Sequence, residues 1–176
     1  MKFKKETTFL FFFAIFQLCI SQNKLISKDG FISPDSESFE GNKPEANWVW
    51  NSGDPNPKNY YLHIRKNFRL NSPIKEANAY VSAFSFAELY INGVYIDRIP
   101  TNPDPEYQTY EEIDISPYLK LGENTIAALV YNAGEGLHHR MNGKGGFFFQ
   151  SKITDSKEKI IKLNSDKSWL VAKAKA

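Results

Sequence analysis

From Asn47 onward, apolar and polar residues alternate in short runs, and the period is two rather than three or four. Residues 60–70 show it most clearly: Tyr60, Leu62, Ile64, Phe68 and Leu70 fall on one parity, while His63, Arg65, Asn67 and Arg69 fall on the other. That pattern predicts a half-buried strand with one wet face, interrupted only at Lys66. Trp48 and Trp50 share a face in an expected short strand before it, and Ala79, Val81 and Ala83 alternate in the strand after. Glu88 to Tyr95 folds back around Asn92-Gly93, a pair suited to the positive φ of a two-residue hairpin turn. Thr125 to Tyr131 is apolar at nearly every position, which predicts a central strand covered on both faces. Gly145 to Ile153, Lys159 to Leu163 and Ser168 to Ala172 complete the set. A single helical turn is expected at Ser116-Pro117-Tyr118-Leu119, with Ser116 as N-cap, Pro117 at the first helical position and Gly122 ending it. No segment keeps a helical period over three turns. The expectation is an all-β jelly-roll sandwich of eight or nine strands.

The first 45 residues follow other rules. Lys2, Lys4 and Lys5 precede an apolar stretch from Phe9 to Ile20, and Cys19-Ile20-Ser21 offers small side chains where a signal peptidase cuts. These twelve residues, apolar but for Gln17, span roughly 18 Å as a helix, short of the ~30 Å hydrocarbon core. Residues 1–21 therefore read as a secretory signal with Gln22 as the new N-terminus, and the protein as secreted or periplasmic. Lipidation at Cys19, giving a cell-surface anchor, is the competing reading, weakened by bulky Phe16-Gln17-Leu18. Residues 22–45 are polar, broken by Ser33-Pro34 and Lys43-Pro44, and read as an irregular arm with a short strand at Phe31-Ile32. The sandwich then occupies 46–176.

Charge and cysteine content sharpen this division. Taking Lys2, Lys4, Lys5 and Glu6 from 22 basic and 20 acidic residues leaves nineteen of each. A neutral chain lacks the basic excess that nucleic acid or anionic membranes attract. The lone cysteine, Cys19, goes with the signal, so no disulfide supports the mature domain.

Candidate chemistry is sparse. His63 lies on a wet parity, and His138-His139 are adjacent, so they point apart and make poor co-ligands for one metal. Carboxylates at Asp97, Asp104, Glu106, Glu111 and Glu112 pair only as a chance distribution would pair them. Glu111, Glu112 and Asp104 are the residues a hydrolase reading would rest on. No cofactor is implied, although Asp97, Asp104 and Glu106 would offer oxygen ligands to a structural calcium. Two long loops, 97–110 and 132–146, hold the residues best suited to sugars: Tyr107, Tyr110, Asn132, Glu135, His138, His139 and Arg140. These supply apolar faces for C–H groups together with donors and acceptors for hydroxyls.

One combination of segments goes further. Trp48-x-Trp50, Tyr61-x-x-x-Arg65-x-x-Phe68-x-Leu70 and Glu88-Leu89-Tyr90-Ile91-Asn92-Gly93 come first. Asp114-Ile115-Ser116-x-Tyr118-Leu119, Leu121-Gly122-Glu123-Asn124, Gly145-Gly146-Phe147 and Asp166-x-Ser168-Trp169 follow. Together, over about residues 46–170, they resemble the N-terminal β-sandwich module of bacterial α-L-rhamnosidases. The hairpin and the Asp114 to Asn124 run are also similar to sugar-binding domains of β-galactosidase-like enzymes. The resemblance implies a galactose-binding-like jelly roll in a carbohydrate-associated, non-catalytic role. Its ligand would be a plant or bacterial glycan containing rhamnose or a related sugar. It implies too that hydrolysis belongs to a separate α/α barrel, absent here, so the chain is expected to be a fragment, an accessory part, or a docking module for a separate hydrolase. No catalytic residue carries over. Asn92, Gly93, Ser116 and Asn124 are expected to be structural, Asn124 bonding local backbone.

Overall fold

The computed structural model describes residues 24–27, 44–100, 107–135 and 143–174. The expected signal, the Phe31-Ile32 strand, Asp104, Glu106 and the segment His138 to Arg140 lie outside the described residues. Ten strands form among the rest: β1 (Lys24–Ser27), β2 (Tyr60–Leu70), β3 (Ile74–Ala83), β4 (Phe86–Ile91), β5 (Val94–Ile99), β6 (Tyr107–Asp114), β7 (Gly122–Asn132), β8 (Phe147–Asp155), β9 (Ile160–Asn164) and β10 (Leu170–Lys173). They make two antiparallel sheets, ordered β1-β6-β3-β8-β9 and β10-β2-β7-β4-β5. The expected all-β jelly-roll sandwich is the fold observed.

Alternation decides which side chains meet between the sheets. Leu62 and Ile64 of β2, Leu89 and Ile91 of β4, and Ile126 and Val130 of β7 are fully buried on one inner face. On the other, Ala77, Ala79, Val81 and Ala83 of β3 lie beside Phe147, Phe149 and Ile153 of β8. Small alanines leave room for the large rings beside them. Burying each phenylalanine contributes about 1.5–3 kcal/mol. Trp169 closes the core from the loop before β10, its ring 6.0 Å from Phe147 and 5.5 Å from Phe149. Its indole N–H donates to the Asn164 carbonyl at 2.9 Å, so the one polar atom it carries inward is satisfied.

One end of the sandwich is built by asparagines. Asn92 (φ 52°) and Gly93 (φ 83°) turn β4 into β5 with the positive φ expected of them. The Asn92 amide donates to the Tyr118 carbonyl at 2.8 Å and to Asn124 Oδ1 at 2.9 Å, while its oxygen accepts from the Thr125 N–H at 2.9 Å. Asn124 donates to the Lys120 and Gly122 carbonyls and accepts from the Lys120 N–H. It bonds local backbone as predicted, and a second chain segment besides.

Several expectations are corrected. The run in β7 is not covered on both faces: Asn124, Ile126, Ala128, Val130 and Asn132 are buried, whereas Thr125, Ala127, Leu129 and Tyr131 are only half-buried. Its outward residues are apolar because side chains on the neighbouring strands shelter them, not because another layer lies on top. Ser116 is not an N-cap. Ile115 holds that position before a short 3-10 turn, Ser116–Tyr118. The Ser116 hydroxyl instead accepts from the Ala77 N–H at 2.7 Å and ties the turn to β3. The turn ends at Leu119, and Gly122 opens β7. Trp48 and Trp50 flank a single bridge between Val49 and Phe147 rather than lying in a strand. The glycine-rich run lets those indoles approach the backbone: a Cβ on Gly145 would sit 2.3 Å from the Trp50 ring, and one on Gly146 would sit 2.7 Å from the Trp48 ring. Finally, β1 pairs with β6 from within the stretch read as an irregular arm.

Candidate functional site

The register places both loops of interest at the same end of the sandwich. Tyr60 at the start of β2 pairs with Asn132 at the end of β7, and Phe86 at the start of β4 pairs with Tyr131. Ala83 at the end of β3 pairs with Phe147 at the start of β8. The connections leaving β5 and β7 therefore emerge together, opposite the Asn92-Gly93 hairpin. The first is shorter than its sequence suggested, since β5 runs to Ile99 and β6 begins at Tyr107.

The residues proposed there separate into three groups. Asn132 and Tyr110 are turned to structural use, each about 1% exposed. The Asn132 amide donates to Asn56 Oδ1 at 3.0 Å and its oxygen accepts from the Ser85 hydroxyl at 3.2 Å. Both contacts weld the corner between β3 and β4 to the segment before β2. The Tyr110 ring stands edge-on to Tyr80, 5.4 Å away. Glu135 is exposed and pairs with Lys58 at 3.0 Å. Tyr107 opens β6, its backbone in register with Ser27. His138, His139 and Arg140 are outside the described residues. Two buried polar atoms near this end, Trp50 Nε1 and Asn51 Oδ1, have no hydrogen-bond partner.

The carboxylates do not assemble into a reacting pair. Glu111 and Glu112 follow one another on β6, so they project to opposite faces. Glu112 accepts from the Tyr80 hydroxyl at 3.2 Å on the outside. Glu111, in register with core Val81, points inward and is 4% exposed, with Oε2 unpartnered. Burial, and secondarily the charge of Asp97, push its carboxyl above the ordinary glutamate range. Such a group favours holding a proton, and Asp97, the carboxylate whose charge it feels, is exposed on β5, where it accepts from the Arg98 N–H. Among the described residues, no three His, Cys, Asp or Glu side chains come together.

A different surface escaped sequence reasoning. On the outward face of the β2-β7-β4-β5 sheet, Tyr131 lies between Tyr61, with ring centroids 4.7 Å apart, and Phe86, 5.0 Å away. Arg98 lays its guanidinium over Phe86 at 4.4 Å, a favourable cation–π contact. Tyr61 remains 41% exposed. Its parity opposite Leu62 was the available signal. The assumption that β7 is doubly covered hid the rest.

Comparison with known proteins agrees with this architecture. Residues 72–176 match the model of the α-L-rhamnosidase N-terminal domain. The fold superposes on the GH78 family rhamnosidase of Bacillus sp. GL1 with a TM-score of 0.64 and 27% identity, over 73% of this chain and 13% of that one. The Streptomyces avermitilis α-L-rhamnosidase, solved with L-rhamnose, gives 0.60 and 21% over 88% of this chain and 14% of that one. The lectin of Pleurotus ostreatus, a likeness of fold alone, gives 0.57 and 20% over 73% and 35%. The chain thus spans a small part of the enzymes it resembles. No curated protein sequence matches it.

Proposed function

The chain belongs to the family of α-L-rhamnosidase N-terminal domains, and on that footing we propose that it is an exported, non-catalytic accessory module of glycan degradation. Its sugar would be a rhamnose-bearing or related plant or bacterial glycan, and hydrolysis would be the work of a catalytic barrel domain or protein. The observation that carries this reading is the division of labour within the sandwich. Buried Asn132 and Tyr110 serve the fold, the two glutamates of β6 project to opposite faces, and one sheet face stands open for recognition. Neighbours that include sugar enzymes and a lectin support a carbohydrate role.

Calorimetric titration of the purified chain against a panel of rhamnosides and rhamnose-containing oligosaccharides tests it. Heat of binding without turnover of an aryl rhamnoside is the expected result. Absence of heat with every sugar at millimolar concentration would count against it. A docking role is the second reading, favoured by how small a share of the similar enzymes this domain covers. It predicts co-elution with a barrel protein and no sugar binding. Export is tested separately by sequencing the N-terminus of secreted material, which should begin at Gln22.

A further inference from the structure

The outward face of the β2-β7-β4-β5 sheet is more than a row of rings. Tyr131 and Leu129 project from central β7 and form an apolar floor, their inward neighbours Ala128 and Val130 being core. In register across β2 stand Tyr61 and His63, with Arg65 one step further along. In register across β4 stand Phe86 and Glu88, and Arg98 of β5 lies beyond Glu88. The apolar floor thus spans three strands at its loop end, through Tyr61, Tyr131 and Phe86, and narrows to Leu129 between His63 and Glu88 further along. The Glu88 carboxylate is held in place by the Tyr90 hydroxyl, which donates to it at 2.8 Å.

We propose that this trough is the module's glycan-binding surface, and that its ligand is a chain of pyranose rings lying along β7. The inference rests on the carbohydrate reading above and moves the site from the loops to the sheet. A pyranose has an apolar C–H face and a rim of hydroxyls. Laid face down, it would stack on Tyr131 and Leu129 and turn its rim toward His63 and Arg65 on one bank, Glu88 and Arg98 on the other. A protein partner fits less well. Beyond the three rings, a flat apolar partner would desolvate Arg65, Glu88 and Arg98 without supplying partners for them. The hydroxyls of a sugar satisfy either sign of charge.

The test is affinity electrophoresis of the full chain through gels containing pure polysaccharides, followed by titration with oligosaccharides of any that retard it. Tyr61→Ala and Arg98→Ala alter exposed side chains and should each weaken binding roughly tenfold, with Tyr131→Ala weakening it more. The two exposed variants should stay folded, with only a small drop in unfolding temperature from the lost contacts to Tyr131 and Phe86. Should Tyr131→Ala unfold, Arg98→Ala and Tyr61→Ala decide alone. Unaltered binding in these variants, with loss in Lys58→Ala or Glu135→Ala at the loop end, overturns the inference and leaves the carbohydrate reading standing. A wild-type chain retarded by no polysaccharide overturns both. Concentration-dependent dimerisation abolished by Leu129→Arg would assign the trough to a second copy and overturn the inference likewise.

Discussion

Asn92 and Asn124 each use both amide protons, and each accepts from at least one backbone or side-chain donor, in a region with little access to water. Removing either leaves backbone groups of two segments unpaired. Asn124→Ala is expected to destabilise the fold by about 2–4 kcal/mol in urea titration. Asn92→Ala should cost a similar amount. Because the two share a hydrogen bond, the double variant should fall short of the summed losses by about 1 kcal/mol. Glu111 gives a prediction of opposite sign. Its carboxyl is held above the ordinary range, so the folded chain keeps a proton that the unfolded chain releases as pH rises through about 4.3. Stability is therefore fully present below that value and declines as pH climbs toward the raised folded value. Glu111→Met should stabilise the protein by about 1–2 kcal/mol near neutral pH, with the gain vanishing near about pH 4. Equal gains at both pH values would contradict it. Asp155 and Asp166 run the other way. Backbone N–H groups of Lys159 and Lys157 hold Asp155 low, as the hydroxyl and N–H of Ser168 hold Asp166. Their contribution is present above the ordinary aspartate range and disappears as pH falls through the lowered values.

At the scale of elements, what the sequence disclosed depended on whether the cause was local. The alternation of β2 needs only one dry face, and its bounds came out at Tyr60 and Leu70. The Asn92-Gly93 turn likewise needs only its own φ angles. The nature of β7 was misread because apolar content does not reveal whether a residue is covered by a second layer or by lateral neighbours. Ser116 was misread for a related reason. A serine before proline suits a cap, but here the competing donor, the Ala77 N–H, is on β3, thirty-nine residues away. Of the candidate site, sequence reasoning set connections after β5 and β7 but drew them too long, putting Tyr107, Tyr110 and Asn132 in loops where the structure has strands, and only topology shows that the two connections share an end. It could not foresee that Tyr110 and Asn132 would be buried by partners distant in the chain. Trp169 illustrates the same dependence: it anchors β10 by packing on two rings of β8. Trp169→Ala should cost about 3–5 kcal/mol and expose the β2 edge to proteolysis or hydrogen exchange before the rest of the sheet.

At the scale of the molecule, two sheets and one core should unfold in a single transition. Cys19 is the only cysteine, so a reducing agent should leave the unfolding temperature of the chain unchanged. A shift on reduction would reveal cross-linking between chains. The direction of β10 has a further consequence. It runs antiparallel to β2, with Lys173 beside Leu62 and the Ala174 N–H donating to the Tyr61 carbonyl at 3.0 Å. Residue 174 therefore lies at the loop end, beside the start of β2, while the aromatic sheet face looks out sideways. A bead, a surface or a fused protein attached after residue 174 would crowd the loops and, less so, Tyr61 at the near end of that flank, leaving Arg65 further along it in open solvent. A chain leashed in this way would keep whatever adhesion the flank confers and lose what the loops confer, so the choice of tether by itself separates the two surfaces.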